Sequence, residues 1–386
     1  MKRVMLVVGE ASGDALGARL IKRLKEISPY ELEFFGATGE KLRACGVETI
    51  VRSDALSIVG LIEIAQSLPM FWRTFRRLKL EALRRKPDVV ILIDFPEFNL
   101  KLAKALKRMG LKIIYYVSPQ IWAWRSYRIN TIKKYVDLLL TILPFEKDWY
   151  LRRGVYHVEY VGNPLINEVY PKLSRNEFCL KHGLNPENPV IALLAGSRHK
   201  EIVRILPVLL ESAELATKIN PNIQFVNALA PMRQVSEVKT IEESLRKKLG
   251  SLKAKILTVQ GETYDALNTA DLAVVTSGTA TLETAIIGTP MIVVYKSSYL
   301  NYILLRPLIE VPHFSLVNLI ANETVVPELI QDEFTPETLV KEIFQLLENE
   351  KNQNMRTKLK DVVDKLGQGG AALCAARVIL NFMEHQ

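Results

Sequence analysis

The sequence predicts two doubly wound α/β domains in tandem, and two observations carry the prediction. Short apolar runs of buried-strand character alternate with helical stretches, the pattern of a parallel sheet covered on both faces. The alternation stops in a polar, proline-bearing segment from Asn163-Pro164 to Pro189 and then restarts. A chain of 386 residues, 48% hydrophobic, is long enough for two domains of common size.

In the first half the strand runs are Val4–Val8, Glu33–Gly36, Val89–Ile93, Lys112–Val117, Leu138–Leu143 and Val158–Val161, with helices over Gly13–Ile27 and Leu100–Met109. In the second half strands Val190–Leu194, Ile223–Ala228, Ala254–Thr258, Ala273–Thr276 and Met291–Tyr295 alternate with helices over Glu201–Ile219, Val235–Leu249 and Thr279–Ile287. The expected domains are 1–165 and 166–366, with room for a hinge at 165–185, and Gly367-Gln368-Gly369-Gly370 leads into an Ala-rich last helix. Two such sheets make a cleft between facing carboxyl edges, where ligands of open α/β sheets bind.

Composition excludes several classes. Cys45, Cys179 and Cys374 are odd in number and far apart, with no CxxC pair and no histidine at metal spacing, so neither disulfides nor a structural zinc are expected. The opening Met-Lys-Arg precedes an apolar run too short for a signal peptide, which reads as a first strand of a cytoplasmic protein. No run approaches the roughly 20 apolar residues of a spanning helix. A net charge of +9 implies an anionic partner. The densest basic cluster, residues 67–86, mixes Leu68, Met70, Phe71, Trp72 and Phe75 with Arg73, Arg76, Arg77, Lys79, Arg84, Arg85 and Lys86. It reads either as a helix lying in a lipid interface or as a core-facing helix with a solvated basic back. No nucleic-acid module is recognisable, so nucleic acid is not an expected partner.

The chemistry belongs at the strand ends. "VVGEASGDALG", residues 7–17, is a Gly-rich turn opening a helix, without GxGxxG spacing and with Ser12 or Asp14 as its expected cap. "VVILIDFPEFN", residues 89–99, ends a buried run on Asp94, which reads as a base at the strand edge or as a helix cap before Pro96. Pro96 biases Phe95 away from helix, toward extended backbone. In "LLAGSRHKEI" backbone donors, a hydroxyl and a guanidinium converge at Gly196, Ser197 and Arg198, suiting a diphosphate. In "AVVTSGTATLETAIIG" the small residues Thr276, Ser277, Gly278, Thr279 and Ala280 leave a helix mouth open to phosphate, and Glu283 one turn in reaches toward a ribose or serves the helix dipole.

Taken together, "GEASGD" (9–14), "IVGLIE" (58–63), "IDFPEFN" (93–99), "YYVSPQIWAWR" (115–125), "LPFEK" (143–147), "AGSR" (195–198), "TSGTATLE" (276–283) and "SLVNLIA" (315–321) occur in the order of the lipid-A-disaccharide synthase family, which the chain resembles over nearly its whole length. The resemblance implies the glycosyltransferase type B fold of two Rossmann-like domains, an acceptor domain followed by a UDP-sugar domain, with the last helix 367–386 packing back on the first. It implies transfer of 2,3-diacylglucosamine from its UDP derivative to the 6-hydroxyl of 2,3-diacylglucosamine 1-phosphate, with inversion, no metal and no cofactor, at the cytoplasmic face of the inner membrane. Such a displacement needs a base for the acceptor hydroxyl and positive charge for the departing diphosphate. Asp94 matches the base and Arg198 the leaving-group role, with Glu10 and Glu63 as alternative bases or acceptor-positioning groups.

The resemblance further implies acceptor contacts at Ser12, Gly13, Gly60, Asn99, Trp124 and Arg125, the last toward the phosphate, and nucleotide contacts at Asn318 and Gln260-Gly261; from the residues alone, Asn318 reads also as a buried amide bridging backbone groups and the Trp122–Trp124 pair as core packing and a loop brace. Phe95 and Glu97 depart from the pattern and bear on acyl preference. A homodimer is compatible with the sequence. The competing readings are a UDP-N-acetylglucosamine 2-epimerase-like isomerase, a lipid-linked peptidoglycan-precursor transferase, and a non-catalytic nucleotide-sugar-binding membrane scaffold.

Overall fold

The computed structural model describes residues 1–53, 64–250, 252–299, 302–303 and 306–385. The chain forms two compact units, Met1–Pro164 with Gln368–Gln386 and Leu165–Gly367. In the first, parallel strands β1 (Lys2–Val7), β2 (Leu32–Thr38), β3 (Glu48–Arg52), β4 (Val89–Ile93), β5 (Ile113–Tyr116), β6 (Leu138–Thr141) and β7 (Val158–Tyr160) lie in the order β3-β2-β1-β4-β5-β6-β7. Helices α1 (Ala11–Ile27), α2 (Glu40–Ala44), α3 (Ile64–Arg85), α4 (Pro96–Lys107), α5 (Ile129–Tyr135) and α6 (Pro144–Leu151) connect them. The central strands are apolar on both faces because both are covered, Met5 and Val7 lining one core and Val4 and Leu6 the other.

The C-terminal helix Ala371–Glu384 belongs to this unit. Its Ala375, Ala376, Ile379 and Met383 share a core with Leu20, Ile21 and Leu24 of α1, and the small alanines let the two helices approach closely. Lys2 Nζ donates to the Met383 carbonyl at 2.9 Å, fixing the helix end against the first strand.

The second unit begins with α7 (Arg175–His182) and carries β8 (Val190–Leu194), α8 (His199–Ile219), β9 (Gln224–Leu229), α9 (Val235–Leu249), β10 (Ile256–Gln260), α10 (Thr263–Thr269), β11 (Leu272–Thr276), α11 (Ala280–Ile287), β12 (Met291–Tyr295) and β13 (Glu328–Ile330), the strands parallel in the order β10-β9-β8-β11-β12-β13. The fold class is the one the alternating pattern predicts. The sequence pattern misses β3 and β13, short edge strands of five and three residues with only one buried residue each, too little for a continuous apolar run. It also places β10 two residues early, because the strand at Ile256–Gln260 is only half buried and carries little hydrophobic signal.

Ser12 and Asp14 do not cap α1. Both lie inside that helix, whose N-cap residue is Glu10 with no side-chain cap bond. Asp14 is buried instead against α2, where its carboxylate accepts from the backbone N–H groups of Gly39 (2.7 Å), Lys41 (2.7 Å) and Leu42 (3.2 Å). One side chain thus satisfies the orphan donors of a neighbouring helix. Asp14→Ala strands those donors in the core, and we expect it to lower stability by roughly 2–5 kcal/mol. Urea denaturation measures this; an unchanged midpoint would contradict the assignment.

Candidate active site

Each sheet reverses its strand order once, and the loops at a reversal diverge to leave a crevice at the carboxyl ends of two adjacent strands. In the first unit the reversal falls between β1 and β4. Glu10 follows β1 and Asp94 follows β4, so the two acids emerge side by side although 84 positions apart.

Asp94 and Phe95 have φ of 48° and 53°, two successive non-glycine residues in the left-handed region. Each costs about 1–2 kcal/mol and persists only where the surroundings over-determine it. Here the Asp94 N–H donates to the Tyr116 carbonyl at 3.0 Å, and the Asp94 carbonyl accepts from Tyr115 Oη at 2.7 Å and Asn99 Nδ2 at 2.8 Å. The Phe95 ring lies over Gly9, where an added Cβ would fall 2.2 Å from it, and packs against Phe71 and Phe98. Pro96 disfavours right-handed helix for Phe95 as expected, but the alternative taken is left-handed, not extended, because these bonds turn the Asp94 carbonyl inward. The N-cap position of α4 falls on Phe95, so Asp94 is not its cap. Burial, reinforced by the negative charge of Glu10, raises the Asp94 carboxyl above the usual aspartate range, while a bond from the Phe95 backbone pulls it down.

Asn99 is a positioning residue rather than an acceptor contact. It is fully buried, its amide donates to the Val7, Ile93 and Asp94 carbonyls, and it faces no open surface. Gly13 is likewise buried, packed over the Ile93 carbonyl, so the substrate contact expected there is not supported; Ser12 and Glu10 are exposed. Gly60 and Glu63 lie outside the described residues.

"SPQIWAWR" forms a braced loop after β5. Trp122 is buried and donates from Nε1 to Glu146 Oε1 at 2.9 Å, while Glu146 Oε2 accepts from the Ile142 and Leu143 N–H groups. Burial pushes the Glu146 carboxyl up to about 7 despite those donors. Trp124 is partly exposed and carries the Arg125 guanidinium 4.0 Å above its ring. Arg125, with φ of 59°, pairs with Glu97, as does Arg128.

The described part of α3 turns Leu78 and Ala82 into the core and packs Phe71 and Phe75 against it, so these phenylalanines do not face outward as the interface reading required. The outer face carries Trp72, Leu80 and Leu83 beside exposed Arg73, Arg76, Arg77 and Lys79. No described helix is long and apolar enough to cross a membrane.

In the second unit the reversal falls between β8 and β11. The loops that follow are those holding Gly196, Ser197 and Arg198, and Ser277, Gly278 and Thr279. Thr276 Oγ1 donates across to the Leu194 carbonyl at 2.9 Å, which ties the two strand ends together. Arg198 extends into solvent with its side chain 83% exposed. The Ser197 and Arg198 N–H groups, expected to face a diphosphate, both donate to Glu201 Oε2 at 3.1 Å, and Arg198 Nη1 reaches Glu201 Oε1. Gly196 is required beneath that carboxylate, since an added Cβ would meet it at 2.6 Å. Glu201, three residues after the N-cap Arg198, thus reaches back to the N-cap N–H, which is one half of a capping box; the other half is missing because a guanidinium cannot accept a hydrogen bond.

The Thr276–Ala280 loop is partly committed too. Ser277 Oγ donates to the Phe314 carbonyl at 2.7 Å, so like Thr276 it braces the loop rather than offering a hydroxyl proton to phosphate; Gly278 and Thr279 stay exposed at the start of α11. Burial raises the Glu283 carboxyl, and Tyr264 Oη approaches it at 3.4 Å. Asn318 takes the second of its two readings: fully buried, it donates to the Val326 carbonyl and Glu328 Oε1 and accepts from the Val325 and Val326 N–H groups, which engages both its donors and its acceptor oxygen. Gln260 turns its amide N–H groups to the carbonyls of Ala230, Pro231 and Arg233, which commits its donors away from a uracil edge; Gly261 follows in left-handed backbone.

Two Rossmann-like units, each with polar loops at its strand-order reversal, define the glycosyltransferase type B architecture. Solved structures agree at the level of fold: a UDP-N-acetylglucosamine 2-epimerase from Neisseria meningitidis bound to UDP-GlcNAc matches with a TM-score of 0.65 and 14% identity over 100% of both chains. A glycosyltransferase from Rickettsia africae matches with 0.62 and 12% identity over 99% of this chain and 98% of that one. Sequence narrows the class: the family model for lipid-A-disaccharide synthetase matches residues 4–379. The lipid-A-disaccharide synthases of Nitrosococcus oceani and Geobacter metallireducens are 42% and 39% identical over 95% and 99% of this chain and 92% and 97% of theirs. The chain belongs to the lipid-A-disaccharide synthase family.

Proposed function

We propose that the protein transfers 2,3-diacylglucosamine from UDP to the 6-hydroxyl of 2,3-diacylglucosamine 1-phosphate, forming a β-1,6 disaccharide 1-phosphate and UDP. Asp94 takes the 6-hydroxyl proton as that oxygen attacks the donor anomeric carbon from the face opposite UDP. The bond from that carbon to the diphosphate oxygen breaks, and the electron pair leaves with UDP. The observation that carries the reading is the half-buried Asp94 carboxylate, fixed at a strand-order reversal beside Glu10, with its affinity for a proton raised. In its ionised form, a base with raised proton affinity is the better proton acceptor.

Glu10 and Ser12 border the same crevice, and Trp124 and Arg125 serve the acceptor side. On the second unit Gly196–Arg198 and the exposed Gly278 and Thr279 serve the nucleotide, Arg198 swinging from Glu201 to the departing diphosphate, where a guanidinium matches phosphate geometry. Glu283 serves the ribose, and Gly261, just past the end of β10, is kept as a candidate nucleotide contact. The isomerase alternative shares the architecture, but it releases no UDP in proportion to an added acceptor.

The lipid substrates place the protein at a membrane surface, and the outer face of α3 supplies a docking site. Trp72, Leu80 and Leu83 enter the acyl boundary while the neighbouring arginines meet phosphate groups.

Two outcomes follow. Wild type incubated with both lipid substrates releases UDP only when the acceptor is present, and Asp94→Asn lowers that rate by about 10²–10⁴-fold. No acceptor-dependent UDP from wild type would sink the reaction, and an undiminished variant would sink the base. Separately, a Trp72→Ser, Leu80→Ser, Leu83→Ser variant should lose most of its co-sedimentation with anionic phospholipid vesicles; unchanged binding would return α3 to a purely structural role.

A further inference from the structure

Beside Asp94 lies a cationic cluster with no part in the proton transfer. Glu97, in the first turn of α4, presents one carboxylate oxygen, Oε1, to two guanidinium groups at once, Nη1 of Arg125 and Nη2 of Arg128. Lys101 stands one turn further along the same helix and acts on Glu97 electrostatically. We infer that Arg125, Arg128 and Lys101 form a binding site for a phosphomonoester, and that the Glu97 carboxylate is the internal anion this phosphate displaces.

Charge, geometry and exposure all point this way. Three cations face one carboxylate, and the excess positive charge matches a phosphate dianion. Each guanidinium carries five N–H donors in a planar fork, whereas a single shared oxygen engages one donor from each; a phosphate with three terminal oxygens can engage both forks. Exposure is graded: the Glu97 side chain is 60% exposed, Arg125 35% and Arg128 only 13%. The anion is therefore the part of the cluster that solvent can replace, and the deepest cation sits where its attraction is least screened. Arg125 is preorganised by its left-handed backbone and its seat on the Trp124 ring.

Position ties the cluster to the reaction. Glu97 is three residues beyond Asp94, and Tyr115, whose hydroxyl holds the Asp94 carbonyl, feels the charges of Asp94, Arg128 and Glu97 alike. A sugar phosphate can thus offer its hydroxyl to Asp94 and its phosphate to Arg128 along one edge of the first unit. This inference rests on the proposed reaction, whose acceptor is a sugar 1-phosphate. A phospholipid headgroup carries related chemistry, and the experiment separates the two.

The test compares two acceptors in nonionic micelles, diacylglucosamine with and without its 1-phosphate, together with binding of glucosamine 1-phosphate by calorimetry. Arg128→Ala should lower kcat/KM about 10²-fold for the phosphorylated acceptor and less than about 3-fold for the other. Arg128→Lys, which keeps charge and fold, should fall between, and Glu97→Gln should lower KM for the phosphorylated acceptor alone. Equal losses on both acceptors would overturn the site, as would loss of vesicle binding in Arg128→Ala without a change in the acceptor ratio, which would assign the cluster to headgroups. If wild type turns over neither acceptor, the reaction is wrong, and unchanged glucosamine 1-phosphate binding in Arg128→Ala would then reject the site independently.

Discussion

The first unit depends on one strained turn. Two left-handed residues, Asp94 and Phe95, end the central strand β4, and neither has the glycine backbone that adopts this conformation freely. The strain is held by groups from every side: Tyr115 and Tyr116 of β5, Asn99 of α4, and Gly9 after β1, whose missing side chain makes room for the Phe95 ring. Each anchor supports the same outcome, a carboxylate delivered to the reversal point with its backbone locked. The Phe95 ring continues into Phe71 and Phe98, so the helix proposed to meet lipid is packed against the residue next to the proposed base.

A second theme is the internal carboxylate. Glu97 holds Arg125 and Arg128 in the first unit, and Glu201 holds Arg198 and two backbone N–H groups in the second. In each case an acid keeps a cation ordered and partly neutralised, at a place proposed to receive phosphate oxygens. Charge-assisted pairs at exposed positions are weak enough to exchange partners, which suits binding and release of charged substrates.

Much of this was legible in the chain. Apolar runs locate ten of the strands closely because covered parallel strands carry a continuous hydrophobic signal, and the acid at 94 stands out because it ends one of them. Its neighbour Glu10 enters only through the family resemblance, since strand order is a property of the sheet and no local pattern records that β1 lies beside β4. The sequence leaves the roles of Asn99, Asn318 and Gln260 open for a related reason. A polar residue in a site motif looks the same whether it faces a ligand or satisfies the backbone that shapes the loop, and only its hydrogen-bond partners in the fold separate the two. Phe71 and Phe75 show the limit of composition: a basic, aromatic helix has the same residues whichever way its rings turn.

The central claim is that Asp94 is the base and that its affinity for protons is set by burial and by Glu10. A base acts when deprotonated, so kcat/KM should fall as pH drops through a pKa above the ordinary aspartate range. Glu10→Gln removes a negative charge that favours the protonated form, which should move that acid limb to lower pH. The pH dependence of kcat/KM for wild type and Glu10→Gln measures this directly. A downward shift is the predicted result; an acid limb unmoved by the substitution, or one lying at the value of an ordinary exposed aspartate, would contradict the account.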